Sequence, residues 1–135
     1  TLRKFEHQSG VHATLNMHDH GIPLPPDIQI QVLHIVQEAL SNVRKHARAS
    51  QVWLDVKQQP LWVFEVRDDG SGFDVSRGAA DETHVGLRIM TERAERIGAR
   101  VEVFSTPQRG TSVVLTLPPS TELFERATAA EAAES

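Results

Sequence analysis

Apolar and polar positions alternate loosely from Val11 to Met17, which predicts a short strand. The run Gly21-Ile22-Pro23-Leu24-Pro25-Pro26 then forbids regular structure through its prolines and reads as a rigid connector. Beyond it, Val32, Val36, Ala39, Val43 and Ala47 recur at helical spacing, with Asp27 standing where an N-cap would open the helix. A helix of about 20 residues would run about 30 Å, across a whole domain. Val52, Leu54 and Val56 alternate with polar partners, Gln58-Gln59-Pro60 interrupts, and Leu61 to Val66 forms a second apolar run, so these two segments predict a hairpin. The stretches Asp68 to Phe73 and Ser76 to His84 are rich in Gly, Asp and Ser and predict a mobile loop of functional length. Leu87, Met90, Ala94 and Ile97 are spaced for one buried helical face, and Gly98 is placed to stop that helix. Val101-Glu102-Val103 and Val113-Val114-Leu115-Thr116-Leu117 supply two more strands around an Arg109-Gly110 turn, ended by Pro118-Pro119.

Strands grouped with one long and one shorter helix imply an α/β (α+β) fold: a two-layer sandwich, its sheet mixed but mostly antiparallel, with helices on one face. The expected division is a domain over 1–120 and a flexible tail over 121–135, whose Ala/Glu-rich end runs from Ala127 to Ser135. The element pattern leaves function open.

Composition narrows the classes. With 135 residues there is room for one domain, and 39% hydrophobic and 24% charged residues fit neither a disordered tail nor a membrane protein. Fourteen Lys+Arg against eighteen Asp+Glu, net −4, argue against nucleic acid or an anionic membrane as partner. The absence of cysteine removes disulfides, thiolate zinc sites and cysteine nucleophiles, and permits a cytoplasmic, reducing location. A start at Thr1-Leu2-Arg3 without Met or signal peptide is expected of a piece of a longer parent.

Four constellations carry chemistry. Glu38, Asn42 and Lys45-His46 are three or four residues apart, so on a helix they stack into one polar stripe, and a carboxylate, an amide oxygen and a cation together suit Mg²⁺ and phosphate. Taken alone, such a stripe reads first as a solvated face, the commoner meaning of that pattern. Asp68-Asp69-Gly70-Ser71-Gly72 leaves the end of an apolar strand, where glycines let backbone approach a ligand and Asp68 can accept from an exocyclic amine. His84-Val85-Gly86-Leu87 is placed at the expected start of the second helix, where free N–H groups and the helix dipole favour phosphate. Gly110-Thr111 opens the last strand.

The order and spacing of Glu38-x-x-x-Asn42-x-x-Lys45-His46, Asp68-x-Gly70-x-Gly72, Gly86-Leu87-x-x-Met90 and Gly110-Thr111 closely resemble the N, G1, G2 and G3 boxes of the ATP-binding domain shared by histidine kinases, gyrase B, Hsp90 and MutL. The resemblance covers about residues 10 to 118. Ile35 to Ala47 and Gly86 to Ala94 look like the sensor kinases that signal to response regulators of the nitrate-regulator type, among them nitrate/nitrite sensors. It implies the Bergerat ATP-binding fold, ATP and Mg²⁺ as cofactors, and histidine kinase activity. Asn42 would ligate the metal, Glu38 would orient a metal-bound water or assist proton removal, and Lys45 and His46 would face the phosphates. Asp68 would accept from adenine, supported by the Thr111 hydroxyl, over a floor of Gly70 and Gly72, while Gly86, beside Leu87, would let a lid close. Asp69 stands where Asn is commonest, and Thr83 and Val85 replace a Gly and an aromatic residue.

None of the seven histidines, at 7, 12, 18, 20, 34, 46 and 84, lies in the acid-rich setting of the phosphoacceptor in such sensors. The resemblance therefore implies a catalytically incomplete piece. Its partners would be a histidine-bearing dimerisation domain of the same parent and a response regulator, in a homodimeric parent anchored in the inner membrane, the isolated domain being monomeric. Rival readings are a degenerate scaffold of the same fold and an ATP-hydrolysing clamp. A metal site at His12, His18 and His20 lacks a third ligand of clear spacing. Trp53 and Trp62 fit strand packing better than a base-stacking platform, and Arg88, Arg93, Arg96 and Arg100 read mostly as surface charge.

Overall fold

The computed structural model describes residues 2–17, 24–58, 61–71, 81–105 and 107–119; the side chains of Leu2, Phe5, Gln8, His46, Ala47 and Asp81 to Val85 fall outside that description. The order of elements is α1 (Leu2–Ser9), β1 (His12–Met17), α2 (Pro26–Asn42), a π-helical turn (Val43–Ala47), β2 (Gln51–Lys57), β3 (Val63–Asp68), α3 (Asp81–Arg96), β4 (Arg100–Ser105) and β5 (Thr111–Thr116). Five strands form one sheet in the order β1-β2-β3-β5-β4. The β1–β2 pair is parallel and the other three pairs are antiparallel, which is the mixed, mostly antiparallel sheet expected. Parallel pairing requires a crossover, and α2 supplies it.

Register sorts the strand residues onto two faces. Val52 pairs with Asp68, Leu54 with Val66 and Val56 with Phe64; Val66 pairs with Val113 and Phe64 with Leu115. These residues share one face, and all but Leu54 are buried, in one cluster with Ile28, Val32, Ile35, Val36, Ala39 and Leu40 of α2 and Met90 and Ala94 of α3, except for the polar Asp68. Both long helices thus cover the same side. Burying a Val, Leu, Ile, Phe or Met side chain contributes about 1.5–3 kcal/mol, so this layer carries most of the stability. The opposite face is polar and open: Arg67 lies over the Trp53 ring at 4.8 Å and reaches Asp55 at 3.6 Å, while Ser112 donates to Glu65 at 2.7 Å.

Local details depart from the sequence expectation in three places. Residues 2–9 form a helix that the sequence reading did not foresee; it ends at Gly10 (φ +73), whose N–H donates to the Glu6 carbonyl at 2.9 Å. Asp27 is not the N-cap of α2: Pro25 takes that place without a side-chain cap, and Asp27 sits within the first turn, where prolines pre-set the helical φ and an acid favours the dipole. Finally, Asp81 to His84 belong to α3 and not to a loop, consistent with the acidic pair Asp81-Glu82 opening a helix. Gly98 does stop α3: it has φ +68, and the Ala99 N–H closes back on the Ala94 carbonyl at 2.9 Å. Residues 18–23, 72–80 and 120–135 lie outside the described residues, and with them part of the expected connector, much of the expected loop, the whole of the expected tail, and His18, His20 and Gly72.

Candidate nucleotide site

Glu38 and Asn42 lie one turn apart on α2, both half-buried. The helix then widens into the π turn that holds Lys45, exposed, and the backbone of His46; such single-turn widenings are frequent at functional sites. The turn ends at Arg48 in the left-handed region (φ 51, ψ 38), which breaks the helix and releases the chain into β2.

Gly86 is buried in α3 directly against the two tips: a Cβ there would stand 2.8 Å from Glu38 Oε1, 2.9 Å from Asn42 Nδ2 and 3.0 Å from Asn42 Oδ1. Its position corrects the sequence expectation, because Gly86 is inside the helix and not at its start. The free N–H groups of the helix terminus therefore belong to the residues from Asp81 onward. A glycine within a helix costs about 1 kcal/mol against alanine, and the close approach supplies its reason. Leu87 packs against the hydrophobic core.

Asp68 ends β3 on the helix-covered face and is the one buried charged residue among the described residues, at 5% exposure. The Gly70 N–H donates to its Oδ1 at 2.8 Å, and the Thr111 backbone N–H donates to the same carboxyl. Burial pushes the Asp68 carboxyl above the usual carboxylate value, against the lowering effect of these two donors, and the neighbouring Asp69 charge raises it further. The Thr111 hydroxyl bonds Ser105 Oγ at 2.8 Å, and the bond from Thr111 to Asp68 is made by its backbone N–H. The turn before β5 lies on the end of β3: Gly110 has φ +87, and a Cβ there would overlap the Asp68 carbonyl.

Sequence reasoning undervalued Asp69. Its Oδ1 accepts from the Ser50 and Gln51 N–H groups, each at 2.9 Å, and its Oδ2 accepts from the Ser50 hydroxyl at 2.6 Å. The signal was present as a serine directly before one strand and an aspartate directly after its hairpin partner. Two cavities complete the picture. One of about 690 Å³ between α2 and the β1–β2 edge is walled by Leu15, Met17, Ile30 and Leu33, among others, and holds none of the candidate site residues; one of about 360 Å³ on the open side of the sheet is lined by Trp53, Arg67, Asp68, Asp69, Arg109 and Thr111, among others.

A mixed sheet carrying a buried strand-end aspartate, with a Glu/Asn pair on the covering helix, defines a nucleotide-binding class of α/β sandwich. The chain belongs to the family of histidine kinase-, DNA gyrase B- and HSP90-like ATPases, which it matches over residues 27–121. It is 30% identical over 122 residues to the signal transduction histidine-protein kinase/phosphatase DegS of Brevibacillus brevis, covering 90% of this chain and 31% of that protein. It is 33% identical over 115 residues to the nitrate/nitrite sensor protein NarQ of Escherichia coli, covering 84% of this chain and 20% of that protein. Sensor protein VraS of Staphylococcus haemolyticus is 33% identical over 96 residues, 70% of this chain and 27% of that protein, so nitrate sensors are one of several similar groups. The histidine kinase domain of the blue-light activated kinase of Erythrobacter litoralis shares the fold, with TM-score 0.73 at 24% identity, over 94% of this chain and 59% of that one. No helix among the described residues is long and apolar enough to cross a membrane.

Proposed function

We propose that the chain is the ATP-binding catalytic domain of a two-component sensor histidine kinase, which holds Mg-ATP and donates the γ-phosphoryl group to a histidine on a separate dimerisation domain, from which a response regulator takes it. The observation that carries this reading is the buried Asp68 carboxyl, fixed by two backbone N–H groups on the sheet face covered by α2. Held so, it accepts from the adenine amino group and opposes a base with a carbonyl at that position. Leaving such a buried partner unpaired costs about 1–3 kcal/mol, enough to select adenine.

Glu38 and Asn42 offer one carboxylate and one amide oxygen, the hard donor chemistry that Mg²⁺ takes, so these residues fit the ion and would hold it against the phosphates. Bound there, Mg²⁺ neutralises charge on the transferring phosphoryl group. Lys45 and His46, on the widened turn beyond Asn42, add cationic and hydrogen-bonding capacity on the phosphate side, and Glu38 orients water or assists proton removal. Gly70 and Gly72 would floor the base pocket, Thr111 supports Asp68, and Gly86, close against Glu38 and Asn42 and beside Leu87, would let a lid close over the phosphates. Since transfer depends on positioning, the acceptor has to arrive on the partner domain. The regulator is proposed to be of the nitrate-regulator type, supported by the identity to NarQ and by the motifs at Ile35 to Ala47 and Gly86 to Ala94. Calorimetry with Mg-ADP and Mg-ATP, then radiolabel transfer onto a separately supplied histidine-bearing domain, tests the reading. No heat of ADP binding at millimolar nucleotide sinks it.

A further inference from the structure

We propose that Asp69 is a positioning residue for nucleotide recognition: by clasping Ser50 and Gln51 it fixes the peptide that aims the Gly70 N–H at Asp68. The inference rests on the nucleotide reading of the site and adds a residue to it. Asp69 is restrained from both ends. Its own N–H donates to the Gln51 carbonyl at 3.2 Å, and its carboxyl takes the Ser50 N–H, the Gln51 N–H and the Ser50 hydroxyl. With backbone and side chain both held, little freedom remains in the Asp69–Gly70 peptide. The Gly70 N–H is thereby directed to Asp68 Oδ1, and the carboxyl is held in one orientation for its ligand.

The clasp also joins the two halves of the site. Ser50 lies two residues beyond Arg48, whose left-handed backbone ends the turn that carries Lys45 and His46. The Ser50 carbonyl accepts from the His12 N–H at 3.0 Å, so the same residue ties in β1. Asp69 therefore spans from the phosphate-side turn to the base-side aspartate, although its own side chain is exposed where that of Asp68 is buried. The Ser50 hydroxyl is the main reason its carboxyl stays below the usual value, with the two backbone donors adding to it, so the clasp is made by a carboxylate. Asparagine would keep it: its amide oxygen can take both backbone N–H groups while its NH₂ donates to the Ser50 hydroxyl.

The test compares ADP with IDP, which lacks the exocyclic amine, by calorimetry on the 135-residue chain and on Asp69→Ala, Asp69→Asn and Ser50→Ala. Asp69→Ala is expected to weaken ADP by about tenfold or more and to change IDP by less than about twofold, which narrows the ratio between them. Asp69→Asn is expected to stay within about threefold of the parent for ADP. A folded Asp69→Ala with ADP affinity unchanged, or with ADP and IDP weakened alike, overturns the proposal, as does an asparagine variant as poor as alanine. Should Asp69→Ala not fold, Ser50→Ala decides: selective loss of ADP supports the clasp, and no loss or equal loss refutes it. A parent chain that binds no ADP refutes the nucleotide reading itself, an outcome distinct from any of these.

Discussion

Gly86→Ala separates stability from binding, because the two respond to different atoms. The atoms nearest the added Cβ would be the ends of flexible side chains, Glu38 Oε1 at 2.8 Å and the Asn42 amide at 2.9 and 3.0 Å. To reach ordinary contact each tip must retreat by roughly half an ångström. A retreat through an off-rotamer torsion costs about 0.5–1.5 kcal/mol. Replacing glycine by alanine inside a helix returns about 1 kcal/mol. The two nearly cancel, so the variant should melt within about 4 °C of the parent. Binding has no such compensation. The displaced groups are the ones assigned to Mg²⁺ and phosphate, and losing one charge-assisted contact at about 1.5–3 kcal/mol corresponds to a loss of about 10- to 150-fold in Mg-ADP affinity. Thermal unfolding followed by circular dichroism, with calorimetry on the same sample, reads both quantities. A melting point lowered by much more than this would show that the tips cannot yield. Affinity within twofold of the parent would show that the Glu38, Asn42 and Gly86 cluster is not where nucleotide binds.

Four further outcomes are expected. Asp68→Asn should abolish adenine preference yet stabilise the fold at neutral pH: a carboxyl raised above its ordinary value disfavours folding increasingly as pH rises through that range, and the amide removes this cost while its one oxygen can still accept from Gly70; a melting point that drops at pH 7 and also at pH 4 would contradict it. For the same reason ADP affinity in the parent should weaken as pH falls through the raised Asp68 value, and a flat profile from pH 8 to pH 4 counts against Asp68 as acceptor. Gly110→Ala should be severely destabilising, by about 3 kcal/mol or more, because the position combines φ +87 with backbone overlap at Asp68; a denaturant midpoint unchanged from the parent would refute this. The chain alone should incorporate no stable label from γ-labelled ATP, and label lost on mutating one of its own histidines would reveal an acceptor within the chain.

Much of the layer structure was legible because burial repeats with a fixed period. Val52, Leu54 and Val56 alternate and form a strand with the foreseen face inward, and Val32, Val36 and Ala39 at helical spacing are the buried stripe of α2. What was not legible depends on partners distant in sequence. Residues 2–9 carry few apolar positions, and their helix packs on β1. Asp27 has the composition of a cap, but Pro25 and Pro26 set the geometry first. The place of Gly86 within α3 follows from its contact with Glu38 and Asn42, which no local pattern encodes. The Asp69 clasp needs the β2–β3 register to bring Ser50 beside it, and no local pattern carries that register.

The pairing of β3 with β5 has a kinetic corollary. It joins segments far apart in sequence, Val63 with Thr116 and Arg67 with Ser112, whereas β2–β3 and β4–β5 are local pairs. Loop-closure entropy places such long-range pairing late in folding. The Thr111 N–H that steadies Asp68 arrives with β5, so the proposed adenine pocket is completed on the native side of the barrier. A nucleotide that grips that pocket should then slow unfolding and leave the folding rate nearly unchanged. In a cell, bound nucleotide would act on this domain chiefly by lengthening the lifetime of its folded state.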